Sequence, residues 1–193
     1  DPNKDEFSLS TNDGPDIPNT IFSSFFFSDV MAPAASTDRP YVEVTESMEQ
    51  VTARIENAIS EYNSENSRGS DIIVFQYAIQ HLLRILRILK MPGGHAVLVG
   101  VGGSGRQSLT RIAAFISEHN CRQIEVGKGY SRKEWHEDLK NVLREGGTTT
   151  RDVVFLLSDA QVNDEGMVED LNGILNTAEV PNLFEADERA EII

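Results

Sequence analysis

GVGGSGRQSL, residues 100–109, follows the short apolar run HAVLV (95–99) and precedes TRIAAFI (110–116), whose apolar residues have helical spacing. A glycine-rich turn between a strand and a helix cradles phosphate, because the backbone can approach closely and the helix N-terminus offers unpaired N–H groups. The phosphate loop is written G-x-x-x-x-G-K-[ST]. Here Gly100 and Gly105 hold the outer glycines, Arg106 stands in place of the lysine, and Gln107 in place of the hydroxyl residue. Gly100, Gly102 and Gly105 also satisfy G-x-G-x-x-G, the dinucleotide-binding pattern, with Glu125 about twenty residues on, where a ribose-binding acid belongs. The glycines alone leave both readings open.

Three features favour the phosphate loop. Arg106 puts a cation where phosphate oxygens would lie. The run Arg106-Gln107-Ser108 supplies more donors than the small or apolar residues usual at the start of a dinucleotide-binding helix. A third apolar run, DVVFLLS (152–158), delivers Asp159 at its C-terminal tip, where phosphate-loop proteins hold their metal-binding and water-activating carboxylates.

Working outward, RQIEV (122–126) and 152–158 read as the second and third strands after 95–99. Helices are expected over 105–119, over 131–146 and near 164–178. Ser131 and Glu134 have capping-box spacing, and Met167, Leu171, Ile174 and Leu175 share one face of the last helix. The order β-α-β-α-β-α predicts a parallel sheet covered by helices on both faces. Upstream, Met48, Val51, Ile55, Ala58, Ile59 and Tyr62 mark an amphipathic helix over 45–65. A second, mostly apolar helix over 71–90 carries a solvated basic row, Arg84, Arg87 and Lys90, and stops at Pro92-Gly93-Gly94. Residues 1–20 are polar, acidic and interrupted by prolines, whereas IFSSFFFSDVM (21–31) is apolar enough to pack on a larger body. The expected division is an extended arm over 1–44, two helices over 45–94, and an α/β core over 95–193.

The chain has 193 residues, with 31 acidic against 17 basic ones and a net charge of -14. That balance argues against a nucleic-acid-binding surface, which needs a basic stripe. One cysteine, Cys121, excludes an internal disulfide, and the four histidines are scattered without metal-ligand spacing. No apolar run approaches the roughly 18 residues of a membrane span. The chain opens on Asp1 and is expected to be a piece of something longer.

GVGGSGRQSLTRIAAFI, KGYSRKEWHEDLK, VVFLLSDAQV and LNGILNTAEVPNLF, in this order, closely resemble the fourth AAA+ module of axonemal dynein heavy chains. The resemblance runs over most of 20–193 and takes in FSDVM and QHLLRILRIL. It implies one of six AAA+ modules in a ring, within a very long chain that walks on microtubules and powers ciliary beating. The fourth module is regulatory. The implied partners are the neighbouring modules and, through the parent complex, intermediate chains, light chains and microtubules. The implied location is the cytoplasm and cytoskeleton of the ciliary axoneme.

The resemblance also implies a sheet order 5-1-4-3-2, of which these residues supply strands 1 to 3, so the large AAA+ subdomain is incomplete at its C-terminus. ADP or ATP would lie on Gly100, Val101, Gly102, Gly103, Ser104, Gly105, Arg106, Gln107 and Ser108. Arg106 keeps the charge of the lysine with a bulkier, planar head. Gln107 replaces the hydroxyl that ligates Mg²⁺, and Ser108 lies about 100° further round the helix. Ser158 and Asp159 align with the family's Asp-Glu pair, so Ser158 replaces the metal-side carboxylate and Asp159 is one methylene shorter than the water-activating one. Mg²⁺ is therefore doubtful, and binding with weak or no hydrolysis follows. The lesser alternative for Asp159 is a cap on the next turn. Ile72, Ile73, Val74 and Phe75 resemble the segment that packs on adenine and equally suit plain core. Trp135 reads as packing. No catalytic residue, sensor, lid or arginine finger is assigned. The competing function is an NAD-dependent oxidoreductase using GVGGSG and Glu125.

Overall fold

A computed structural model describes residues 27–32, 41–44, 46–66, 69, 72–185 and 187–188. Most of the expected arm over 1–44 lies outside them. Its described part forms a two-stranded antiparallel ribbon, β1 (Phe27–Ser28) and β2 (Val42–Glu43), with Phe27 opposite Glu43. Ser28, Asp29 and Val30 are buried; residues 21–26 of the apolar segment 21–31 lie outside the described residues.

The two upstream helices follow local rules. Helix α1 (Met48–Glu65) starts at Ser47, whose Oγ accepts from the Gln50 N–H at 3.3 Å while Gln50 Oε1 accepts from the Ser47 N–H at 3.1 Å. Val51, Ile55, Ala58 and Ile59 form its buried face. Helix α2 runs Gln76–Leu89 rather than from 71, and Phe75 is its extended N-cap. Arg84 and Arg87 are exposed, as the basic row requires. Lys90 is exposed too and has a further role: its ammonium is 2.8 Å from the carboxylate of Asp29, which is only 3 % exposed. A buried carboxylate needs a partner, and the end of α2 provides one.

Beyond the glycine loop, α3 (Arg106–Ile116) leads into β3 (Asn120–Arg122). Helix α4 (Arg132–Thr148) then crosses over to β4 (Val153–Phe155), and α5 (Glu165–Thr177) follows. β3 and β4 pair in parallel, Asn120 against Val153 and Arg122 against Phe155. The second strand is thus shorter and earlier than 122–126. The ladder ends after the Leu156 N–H bonds the Arg122 carbonyl at 2.8 Å; beyond it, the side-chain amide of Gln161 donates to the Ile124 carbonyl. A side chain takes the place of a strand partner there.

Ser131 and Glu134 make the expected capping box on α4. That helix overruns Gly146 to Thr148, because Thr148 Oγ1 and Thr149 Oγ1 donate to the Arg144 and Glu145 carbonyls at 2.7 and 2.8 Å, satisfying acceptors at the helix end. In α5, Met167 is buried but Leu175 is exposed, so the apolar face is narrower than expected.

Two apolar clusters hold these elements. The first joins Val30 and Val44 to α1, α2 and Ile112 and Ala113 of α3. The second gathers Ile124, Trp135, Leu139, Met167, Val180 and Leu183. Within it, the buried Asp170 carboxylate accepts from Trp135 Nε1 at 2.9 Å and from Arg132 at 3.2 Å, which makes Trp135 a packing residue with its N–H satisfied.

The strand expected at 95–99 does not form a ladder among the described residues. Val97, Val99 and Val101 are 82 %, 90 % and 79 % exposed, whereas Leu98 packs against the first cluster. The run has alternating faces and, among the described residues, no neighbouring strand; the described parallel sheet is one pair, strands 2 and 3 of the order 5-1-4-3-2, which sets strand 1 apart from both.

Candidate functional site

The glycine loop turns as its sequence requires. Gly103 and Gly105 have φ of +78° and +77°, the left-handed region in which a side chain would be strained. Gly105 is the N-cap of α3 and has no side-chain cap, so the first N–H groups of that helix face outward without an intrahelical acceptor. Within the loop, the Ser104 N–H bonds the Val101 carbonyl at 3.3 Å. A turn of this shape, leading into a free helix N-terminus, presents donors and the positive end of a dipole to an anion.

Arg106 folds back along the loop. Its Nη1 donates to the Leu98 carbonyl at 3.2 Å and its Nη2 to the Val101 carbonyl at 3.1 Å. The guanidinium has five N–H donors, so these two bonds leave others for an anionic ligand. The contact also ties the unpaired run at 95–99 to the start of α3.

Gln107 does not project as a free ligand. Its Oε1 accepts from Arg111 Nη2 and from Gln123 Nε2, both at 3.4 Å. Gln123 Nε2 also reaches Gln161 Oε1 at 3.4 Å, and Arg111 donates to Gln123 Oε1. Gln161 Oε1 in turn accepts from the Ser158 backbone N–H at 2.8 Å and from Ser158 Oγ at 2.9 Å. A relay of side-chain amides thus runs from the first turn of α3, past the end of β3, to the tip of β4. Ser158 is the N-cap of a single 3₁₀ turn, Asp159–Gln161, and Asp159 is the exposed first residue of that turn. The cap is therefore Ser158, not Asp159.

Sequence reasoning had Gln107, Ser158 and Asp159, and missed Arg111, Gln123 and Gln161. The available signal was positional and only partial: Gln161 lies three residues past the third apolar run, whereas Gln123 falls inside the expected strand 122–126 and is freed only because β3 ends at Arg122.

The two expected metal positions fit Mg²⁺ poorly. Mg²⁺ demands a near-octahedral shell of oxygens at about 2.0–2.1 Å. The side-chain oxygen of Gln107 already accepts two bonds, one from a guanidinium whose charge would repel a cation. The Ser158 hydroxyl, held by the Gln161 amide, is neutral where a carboxylate would carry the charge that draws a cation. Among the described residues, no group of three or more His, Cys, Asp or Glu side chains comes together as a metal-binding set.

In the segment 72–75, Ile72 and Val74 pack against the first cluster, while Ile73 and Phe75 are 81 % and 56 % exposed. The alternation makes half of the segment core and leaves the other half as open apolar surface. Glu125 is exposed and lies past the end of β3, in a segment without strand pairing. A cleft of about 1030 Å³ lies between α1 and the β3 edge, lined by Arg54, Glu61, Arg111 and Gln123 among others. It takes in Ser108 but none of residues 100–107.

Comparison with known proteins agrees with this geometry. A family described as "P-loop containing dynein motor region D4" matches residues 70–193. The chain is 42 % identical over 170 residues to "Dynein axonemal heavy chain 3" of Homo sapiens, covering 88 % of this chain and 4 % of that one. It is 39 % identical over 172 residues to "Dynein axonemal heavy chain 1" of Homo sapiens, covering 89 % and 4 %. Against "Dynein axonemal heavy chain 2" of Mus musculus it is 44 % identical over 139 residues, covering 72 % and 3 %. The chain spans about one twenty-fifth of the length of the first two. None of these matches supports the oxidoreductase alternative. An uncapped glycine loop on a parallel α/β pair, matched in sequence across most of its length, places this chain in the dynein heavy-chain family, in its P-loop D4 motor region.

Proposed function

We propose that these residues bind ADP or ATP on Gly100–Ser108 with slow or absent hydrolysis, as a regulatory AAA+ module of an axonemal dynein heavy chain. The observation that carries this reading is the contrast within one site. The glycine loop keeps its left-handed turns and its open helix N-terminus. The positions for metal and water activation hold Gln107, Ser158 and an exposed Asp159. The first set suffices to bind a diphosphate; the second lacks what hydrolysis needs.

Ile73 and Phe75 offer apolar surface suited to adenine, and Arg106 supplies a cation. In the parent protein the module would sit between neighbouring AAA+ modules. It would act on microtubules only through the rest of the heavy chain, with its intermediate and light chains, in the ciliary axoneme.

Nucleotide titration of the parent chain tests the reading. ADP and ATP should bind at this loop and NAD should not. Asp159→Asn should leave the ATPase rate of the parent chain nearly unchanged. Turnover assigned to this site at about 1 s⁻¹ or faster, abolished by Asp159→Asn, would overturn it.

A further inference from the structure

The amide relay raises a question about charge. In a phosphate loop a divalent cation ordinarily offsets the phosphates and is held by a hydroxyl at the start of the helix and a carboxylate on the third strand. Here those two positions are joined to each other. Gln107 and Ser158 are linked through Gln123 and Gln161, by contacts of 3.4, 3.4 and 2.9 Å. Every member of that chain is neutral. Arg111, which is charged, donates to both Gln107 and Gln123.

Resting on the nucleotide-binding reading above, we propose that this site takes its nucleoside diphosphate without a divalent cation. Three physical reasons converge. The Gln107 oxygen accepts from a guanidinium and an amide, so turning it to a metal would break both bonds and bring a divalent charge against Arg111. The Ser158 hydroxyl and backbone N–H both donate to Gln161 Oε1 at 2.9 and 2.8 Å, so this position is a neutral group held by an amide and brings none of the negative charge that a carboxylate there would offer a cation. Gln161 cannot yield cheaply either, because its Nε2 ends the β3 ladder by donating to the Ile124 carbonyl. Recruiting a metal would therefore disturb the junction of β3 and β4, not one side chain. The charge that remains for the phosphates comes from the α3 N-terminus and Arg106.

The relay also gives the site a mechanical role. It fastens the first turn of α3 to the tip of β4 by side chains, where a metal centre would do so only with ligand bound.

Photolabelling of the full heavy chain with 2-azido-ADP tests this, with labelled peptides from this module quantified in Mg²⁺ and in EDTA. The expected result is equal labelling in both buffers, with half-saturating concentrations within about twofold. Labelling that needs about tenfold more probe in EDTA would overturn metal independence while leaving nucleotide binding intact. No labelling of this module in either buffer would overturn the nucleotide reading, and this inference with it. A second arm uses the double variant Gln107→Thr with Ser158→Asp. Restoring a hydroxyl and a carboxylate should make labelling depend on Mg²⁺ by about tenfold or more. A double variant that still labels and stays indifferent to Mg²⁺ would show that the relay is not what excludes the metal.

Discussion

HAVLV at 95–99 and VVFLL at 153–157 are runs of nearly the same apolar character, yet they end in opposite states. The second begins with β4, pairs with β3 and has Leu156 buried. The first stays extended, with Val97 and Val99 among the most exposed apolar side chains of the described residues. Both sequences favour the extended backbone. A ladder is a property of two segments, however, and only one run has its neighbour close at hand, across the α4 crossover. The apolar pattern specifies how a strand would face, and the partner decides whether there is one.

The largest expected effect falls in the paired region. Trp135 is wholly buried, packs near Phe155 with ring centroids 6.1 Å apart, and donates to Asp170. Trp135→Ala should cost about 3–5 kcal/mol in denaturant unfolding, since it opens a cavity and removes a partner of a buried carboxylate. A loss below about 1 kcal/mol would mean that the second cluster is not a cooperative core.

Arg106 links the unpaired run to the site. Arg106→Ala should weaken ADP binding by about 1.5–3 kcal/mol and leave adenosine binding almost unchanged. Calorimetry with the two ligands separates the cases. Equal losses would make Arg106 a structural tie to Leu98 and Val101 and not a phosphate ligand.

The unpaired run also bears on residues 1–193 made alone. With the 95–99 run lacking a partner strand among the described residues, the isolated chain should give a molten or aggregated product, since a whole domain has only about 5–15 kcal/mol in hand and open apolar edges invite aggregation. A sharp, cooperative thermal transition from the monomeric 193-residue chain would break the contrast.

The smallest effect is expected with pH and again belongs to the paired side. Glu188 is held down to about 2, first by the Glu185 N–H and then by the ammonium of Lys140. The Glu145 carboxyl is likewise lowered, chiefly by its bond to Arg122 on β3. Depressed carboxylates stabilise the folded state fully above their ordinary pKa of 4.5 and lose that contribution as pH falls through the lowered one. Stability followed by circular dichroism should therefore decline between about pH 4.5 and 2. Glu188→Gln should flatten part of that decline; an unchanged profile would show that the pairs contribute nothing measurable, as exposed pairs can.

Features that depend on a few consecutive residues were legible in advance. The caps of α4, the turn at Gly103 and Gly105, and the buried face of α1 are each closed by bonds or contacts within a turn or two. The same holds for the loss of a hydroxyl at Gln107 and of a carboxylate at Ser158, which are plain in the letters. What those side chains do instead was not legible. Gln107 meets Gln123 across 16 positions and Gln123 meets Gln161 across 38. Lys90, exposed as expected, also finds the buried Asp29, 61 positions away.

Taken alone, the amino-acid sequence determined the phosphate-loop turn, the helices with their caps, and the family to which those motifs belong. Tertiary structure alone decided where β3 stopped, which acid Lys90 met, and how the positions of Gln107 and Ser158 were tied together. The reason is the range of the forces concerned. Turns and caps are hydrogen bonds between near neighbours, whose geometry the local backbone dictates. A ladder, a buried ion pair or an amide relay exists only when distant segments meet, and its members look like ordinary polar or apolar residues until they do.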